Sequence, residues 1–306
     1  MSARLAEAGL PAALERPERT RVRRSLTPAR AGLYAFLFCA ALFFLLPLYV
    51  MLVTSLKSME EIRAGGILAL PLEPTLAPWR QAWSTVCTGA ACEGVRAGFW
   101  NSVAITVPST VLPILLGAVN GYALALWRPR GAGLLFGVLL AGAFVPVQVM
   151  IYPLVRLLSG AGIFGSLPGI VLVHLIFGMP VMTLLFRNYY ASLPQELFHA
   201  ARIDGGGFWR IFLHVMLPLS TPIVVVAAIM QVTGVWNDYL LGLVFAGRDS
   251  LPMTVQLNNV INTTTGTRLY NVNMAATILT ALVPLAIYFF SGRWFVRGIA
   301  AGAVKG

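Results

Sequence analysis

Charge is what this sequence has least of. Only 11% of its 306 residues are Asp, Glu, Lys or Arg, against about a quarter in a domain whose surface faces water. That shortage excludes an ordinary soluble protein. Histidine is scarce as well: His174, His199 and His214 fall on separate segments, which argues against a metal centre or an acid–base site. No GxxxxGK[ST] phosphate loop occurs, so this chain does not hold ATP in that way, and HExxH, GxSxG and an intramembrane carboxylate pair are missing too. Cysteine is limited to three positions. Cys39 lies in an apolar stretch and is expected to pack as a small hydrophobe. Cys87 and Cys92 flank TGAA with no further metal ligand nearby, and a short-loop disulfide there requires an oxidising compartment.

What the chain does have is apolar length. Residues of the hydrophobic class make up 58%, and the runs 32–54, 101–126, 134–155, 168–188, 217–246 and 275–292 each suffice to cross a hydrocarbon core about 30 Å thick. The expected fold is all-α, a polytopic membrane protein of six transmembrane helices. Pro47, Pro108, Pro113, Pro146, Pro153 and Pro284 lie within the runs, as membrane helices tolerate when neighbours re-satisfy the backbone. Small residues are frequent, but no GxxxG seam stands out. A net charge of +11 raises nucleic acid as a partner, yet the basic residues sit at the ends of apolar runs rather than among aromatics on one patch. The partner they indicate is the lipid bilayer.

The basic residues also orient the chain. With the N-terminus inside, fifteen of the 22 Lys and Arg fall on the cytoplasmic side, so N-in and C-in is favoured. Residues 1–31 then form a cytoplasmic tail, Arg-rich and too polar for a signal-peptide core. Residues 32–300 form the membrane domain, with a cytoplasmic loop at 189–216, and 301–306 form a second cytoplasmic tail. Segments 55–98 and 247–273 face outside, which puts Cys87 and Cys92 in the compartment where a disulfide forms.

Within the cytoplasmic loop, residues 194–222 read PQELFHAARIDGGGFWRIFLHVMLPLSTP. Pro194 opens a helix with Leu197, Ala200 and Ala201 on its face, and Asp204–Gly207 breaks it. Phe208, Ile211, Phe212 and Val215 then fall on one helical stripe. Such a helix–turn–helix suits either close contact with another protein or a segment lying on the membrane.

This loop resembles the EAA loop of ABC-importer membrane subunits, whose pattern runs roughly EAA-x3-G-x9-I-x-LP. The match falls on Ala200, Ala201, Gly205 and Leu217–Pro218, with Asp204 completing the common DG form; the leading Glu is His199 here. QVTGVWNDYLLGLVFAG and the ending RWFVRGIAAGAVKG are similar to the smaller, G-type subunit of carbohydrate importers of the maltose type. LPMTVQLNNVINTTTGTRLYNVNMAA resembles permeases for glucose or related monosaccharides. The resemblance covers nearly the whole chain. It implies a permease of a bacterial inner membrane that is not itself an enzyme and binds no cofactor. ATP and Mg would sit on a homodimer of ATP-binding subunits. A second homologous permease and an extracytoplasmic sugar-binding protein would complete the importer.

The resemblance also distributes roles. Ala200, Ala201 and Gly205 would admit the ATP-binding subunit closely, Asp204 would pin the turn, and Leu217 and Pro218 close the motif. The segment bearing Asn258, Asn259 and Asn262 would meet the binding protein, and the C-terminal tail would reach between the ATP-binding subunits. From the residues themselves, Trp236, Asn237, Asp238 and Tyr239 combine a stacking face with hydrogen-bonding groups, as a sugar path needs; a helix–helix hydrogen bond at a subunit interface is the other use of Asp238. His174 is expected to be packed and hydrogen-bonded. A secondary transporter would call for more intramembrane ionisable groups and an inverted repeat, and it would leave the EAA-like loop without a partner.

Overall fold

In hydrocarbon a backbone must satisfy its own hydrogen bonds, and the apolar runs accordingly wind into helices. The computed structural model describes residues 27–88, 91–262 and 267–303, from 292 onward as backbone alone. Most of the expected N-terminal tail, residues 263–266 of the Thr-rich turn expected at 263–267, and residues 304–306 lie outside the described residues. Among the described residues no strand occurs.

The helices in chain order are α1 (Pro28–Ser55), α2 (Met59–Ala64), α3 (Ala77–Ser84), α4 (Arg96–Tyr122), α5 (Ala132–Ala143), α6 (Val147–Gly160) and α7 (Leu167–Ser192). They continue as α8 (Gln195–Ile203), α9 (Phe208–Ile211), α10 (Leu217–Leu219), α11 (Thr221–Trp236), α12 (Leu240–Phe245), α13 (Met253–Ile261) and α14 (Tyr270–Ala303). A π-helical turn extends α4 over Ala123–Trp127, and another, Phe212–Met216, joins α9 to α10. The chain divides into two compact units at Leu48. In the first, α1 starts four residues earlier than the apolar run, and Phe36, Phe38, Phe43, Phe44 and Cys39 are exposed, so Cys39 is not the packed hydrophobe expected. Everything that follows belongs to the second unit.

Among the described residues, α1 and three later helical stretches are long and apolar enough to cross a membrane, and two bent pairs bring the number to six if each counts as one span. The bent pairs correct two expectations. Run 134–155 is not one helix: α5 stops at Ala143 and α6 leaves at 103°. Pro146 stands at the start of α6, where it lacks an N–H to continue the first ladder and biases Val145 away from helical angles. Run 217–246 is interrupted as well. α11 meets the α9–α10 segment at 76° and ends at Trp236, and Asn237–Tyr239 separate it from α12.

The tightest helix pair is α4 with α7, and glycine makes it so. A Cβ on Gly117 would lie 2.6 Å from Met182 Cβ, and one on Gly121 would lie 2.6 Å from the Arg187 backbone nitrogen. Gly117 and Gly121 are four apart, so a GxxxG seam does exist here. Around it three cores form. The first gathers Ile114, Tyr122, Phe186 and Tyr190 with Phe198, Ile211, Phe212 and Met216. The second joins Ile105 of α4 to Leu158, Val173 and Phe245. The third joins Trp236 to Val95, Met253, Val272 and Ala276.

Candidate functional site

The loop after α7 is a small helical hairpin fastened to the ends of α4 and α7. Pro194 caps α8, as its fixed φ favours. The helix buries Phe198, while Leu197 and Ala200 stay exposed. Ala201 is half-buried against the first core. Below it Tyr122 is ringed by Phe198, Phe208 and Phe212, and the Arg202 guanidinium lies 4.8 Å over the Trp127 ring. A cation–π contact of this kind contributes about 0.5–1 kcal/mol at an exposed site.

The turn is made by backbone, not by Asp204. Gly205 has φ +75°, a left-handed conformation that glycine adopts without steric cost. The N–H groups of Gly205 and Gly206 donate to the carbonyls of Arg202 and Ala201, at 3.1 and 3.0 Å. Asp204, expected to pin the turn, is exposed, and its side chain bonds nothing among the described residues. Of the motif's end, Leu217 packs against the first core and Pro218 is exposed. The outer face also presents Ile203, 86% exposed, with Trp209 and Leu213. These side chains leave apolar surface on the hairpin uncovered.

A second constellation lies where the end of α11 meets α7. The Asp238 carboxylate accepts the N–H groups of Leu241 and Gly242 at 3.4 and 3.0 Å, capping α12 where the apolar run breaks. Its Oδ2 is also 3.9 Å from Nε2 of His174 on α7, too long for a hydrogen bond. His174 is therefore packed, but the bond expected of it is not made. Beside this pair a groove of about 250 Å³ runs between α7 and α11, lined by His174, Gly178, Gln231 and Asp238 among apolar side chains. Gln231 donates from Nε2 to the Ser109 carbonyl. Sequence reasoning passed over Gln231, although a lone amide in the apolar run of α11 was the available signal.

From the break a polar ladder continues onto α13. Asn258 Nδ2 donates to the Tyr239 hydroxyl at 3.1 Å, and Asn262 Nδ2 donates to Asn258 Oδ1 at 2.8 Å. Tyr239 is 37% exposed and Asn237 is exposed beside it. Trp236 differs from its expected role. It is 2% exposed, its indole N–H donates to the Thr280 carbonyl, and its ring packs on Phe99, so no face is left for a sugar.

Segment 247–273, expected to face outside, contains the helix α13, which packs against α4. Gln256 Oε1 accepts the Gly98 N–H and Ser102 Oγ accepts the Met253 N–H, each at 2.8 Å. Gly98 permits this, since a Cβ there would stand 2.4 Å from Gln256 Oε1. Asn259 faces away from the ladder and donates to the Thr88 carbonyl at 3.0 Å, next to Cys87, whose sulfur is joined to that of Cys92. Among the described residues no group of His, Cys, Asp and Glu is arranged to hold a metal ion.

Comparison with known proteins follows the same lines. Residues 113–301 match the family described as the inner membrane component of binding-protein-dependent transport systems. The chain is 40% identical over 221 residues to the α-glucoside transport system permease protein AglG of Rhizobium meliloti, covering 70% of this chain and 57% of that one. It is 30% identical over 282 residues to the glucose import system permease protein GlcU of Saccharolobus solfataricus, covering 89% and 95%. In fold it is similar to a chain of a bacterial ABC transporter involved in the import of the acidic polysaccharide alginate, with a TM-score of 0.71 at 17% identity, covering 88% of this chain and 97% of that one.

Proposed function

This chain belongs to the family of inner membrane components of binding-protein-dependent transport systems and is a permease subunit of a sugar ABC importer, not an enzyme; from that membership we propose how its parts share the work. The α8 hairpin is the dock for an ATP-binding subunit, one of two copies that bind ATP and Mg. A second homologous permease completes the path, and an external binding protein delivers the sugar. Both termini are cytoplasmic. Tyr239, Asn258 and Asn262 form the receiving end of this chain's half of the path, which continues to the groove at Asp238.

The observation that carries this proposal is the build of the hairpin. Phe198, Ile211, Phe212 and Met216 anchor it in the core that also holds the ends of α4 and α7, while Ala200, Ile203 and Trp209 remain outside. A push on the exposed face is thereby delivered to two spanning helices as a rigid body. Ala200, exposed and small, is the contact position. Ala201 packs inward and belongs to the anchor.

The cargo we propose is glucose or a related monosaccharide, on the likeness of residues 251–276 to such permeases. The α-glucoside named for the 40% identical relative is the competing cargo, and it carries the same kind of ring. The test is uptake of labelled glucose, xylose and α-glucosides by cells carrying the whole importer, beside an Ala200→Trp version that assembles normally. Saturable glucose uptake abolished by the variant supports both cargo and dock. Uptake of an α-glucoside alone overturns the cargo and leaves the dock; normal transport by Ala200→Trp overturns the dock.

A further inference from the structure

Away from both constellations, where α4 ends beside α7, a cavity of about 380 Å³ opens between the loop after α4, the start of α5 and the last turns of α7. Two arginines line it. Arg187 comes from α7, and its guanidinium carbon stands 4.2 Å over the Phe136 ring of α5. That contact fixes the direction of the charge and leaves its N–H donors free for an acceptor in the cavity. Arg128 follows the π-helical turn and adopts φ +45°, a left-handed conformation that ordinary side chains avoid; its Nε donates to the Ala125 carbonyl at 3.0 Å. A strained non-glycine residue that carries a charge to a cavity mouth is a pointer to function. Gly131 and Gly133 line the same wall and keep it open.

Among the described residues no acidic side chain balances the two charges. Neither guanidinium meets a carboxylate within 4 Å among the described residues. The ligand is therefore an anion with several acceptor oxygens, which is how guanidinium groups take phosphate. Position separates the sources of phosphate. The cavity lies at the ends of spanning helices, and beside it α5 turns Leu134, Leu135 and Val138 outward with nothing covering them. A basic cavity opening onto an apolar helix face matches one molecule that is anionic at one end and apolar along its length.

We propose that this cavity binds the phosphate headgroup of an anionic phospholipid, with the acyl chains laid along α5. Arg128 and Arg187 hold the phosphate, and Phe136 holds Arg187. The site would tie α4, α5 and α7 together at the end that bears the hairpin, so an anionic lipid would stiffen the part of the subunit on which the dock is built.

The test is native mass spectrometry of the assembled importer taken from nanodiscs of phosphatidylcholine mixed with phosphatidylglycerol. We expect retained phosphatidylglycerol in the parent complex and roughly five-fold weaker retention in Arg128→Gln or Arg187→Gln, the factor corresponding to about 1 kcal/mol per basic residue at an anionic surface. Arg187→Lys should retain more than Arg187→Gln. Arg128 is exposed in a loop, so its variant reads the charge without disturbing a core, and Phe136→Leu should weaken retention while keeping both charges. Equal retention of the two lipids, or retention unchanged in all variants, overturns the site. Displacement of phosphatidylglycerol by inorganic phosphate assigns the cavity to a free anion and overturns the lipid. Loss of the ATP-binding subunits from the arginine variants with lipid retention unchanged assigns the charges to protein contact and overturns it equally.

Discussion

Asp238 and His174 face each other across 3.9 Å, and the aspartate carboxylate at the same time caps α12 through two backbone N–H groups. One side chain thus caps α12 after the break in the apolar run and puts an acceptor on the wall of a groove. The two duties are separable by substitution. Asp238→Leu removes both and leaves two partly buried N–H groups without acceptors, at about 1–3 kcal/mol, so thermal unfolding in detergent should come markedly earlier. Asp238→Asn keeps an acceptor oxygen for the cap and loses the charge. It should assemble and unfold like the parent while uptake falls several-fold. If Asp238→Asn transports like the parent, the carboxylate is a cap and the groove lies off the path.

Tyr239 offers the second separation, because its ring and its hydroxyl do different things. The hydroxyl accepts from Asn258, and the ring is the exposed aromatic face at the break. Tyr239→Phe keeps the face and frees Asn258; a small rise in the half-saturating sugar concentration is expected. Tyr239→Ala removes the face, and a stacking contact of about 0.5–1.5 kcal/mol corresponds to a loss of two- to ten-fold in uptake efficiency. Equal effects of the two variants would assign the whole role to the hydrogen bond.

The α4–α7 seam predicts a different kind of failure. Apolar helices gain little by leaving lipid, so close packing holds them together. Gly117→Ala puts a methyl carbon against Met182 Cβ, and Gly121→Ala puts one against the backbone at Phe186 and Arg187. Overpacking of this kind costs about 1–3 kcal/mol. Both variants should yield less folded subunit at equal synthesis, and a double variant less again. Gly121→Ala subunit that does form should show unaltered affinity for sugar, because neither Gly121 nor the Phe186 and Arg187 backbone it meets lines the groove. An altered affinity with full yield would contradict this account.

How far these features were legible in the sequence follows from their causes. Span lengths follow from apolar composition, which is local, so the helical membrane fold was readable. The breaks were not. Pro146 and Asn237–Tyr239 lie inside runs whose average hydropathy hides them, and a membrane proline is as often tolerated as breaking. The hairpin was readable as a turn between two helices from its glycines. Which side of α8 is buried was not, because Phe198 and Leu197 are equally apolar and only the aromatic ring around Tyr122 selects between them. Trp236 reads as a stacking surface in sequence and turns out to be a core residue, since burial depends on Phe99 and Thr280, far away along the chain.

Two adjacent glycines in the hairpin allow the turn and the packing beneath it to be told apart. Gly205 sits at φ +75°, and a methyl carbon added there would meet nothing within 4 Å, so its constraint is conformational alone. Gly205→Ala should cost about 1 kcal/mol, and Gly205→Asn less, because Asn enters the left-handed region more readily. Gly206 has no such angle, but a Cβ there would stand 2.6 Å from the Ala201 carbonyl and 2.7 Å from Ile211 Cγ1. Its replacement by Ala forces α8 away from the core, and no choice of backbone angle relieves it. Transport and ATP hydrolysis measured together on the assembled importer read the difference. Gly205→Asn should keep most uptake. If the hairpin is the dock proposed above, Gly206→Ala should leave ATP hydrolysis poorly coupled to uptake, because the hairpin is displaced from the helices it packs on. The opposite ranking would mean that the turn angle, and not the seating of α8 on its core, carries the coupling.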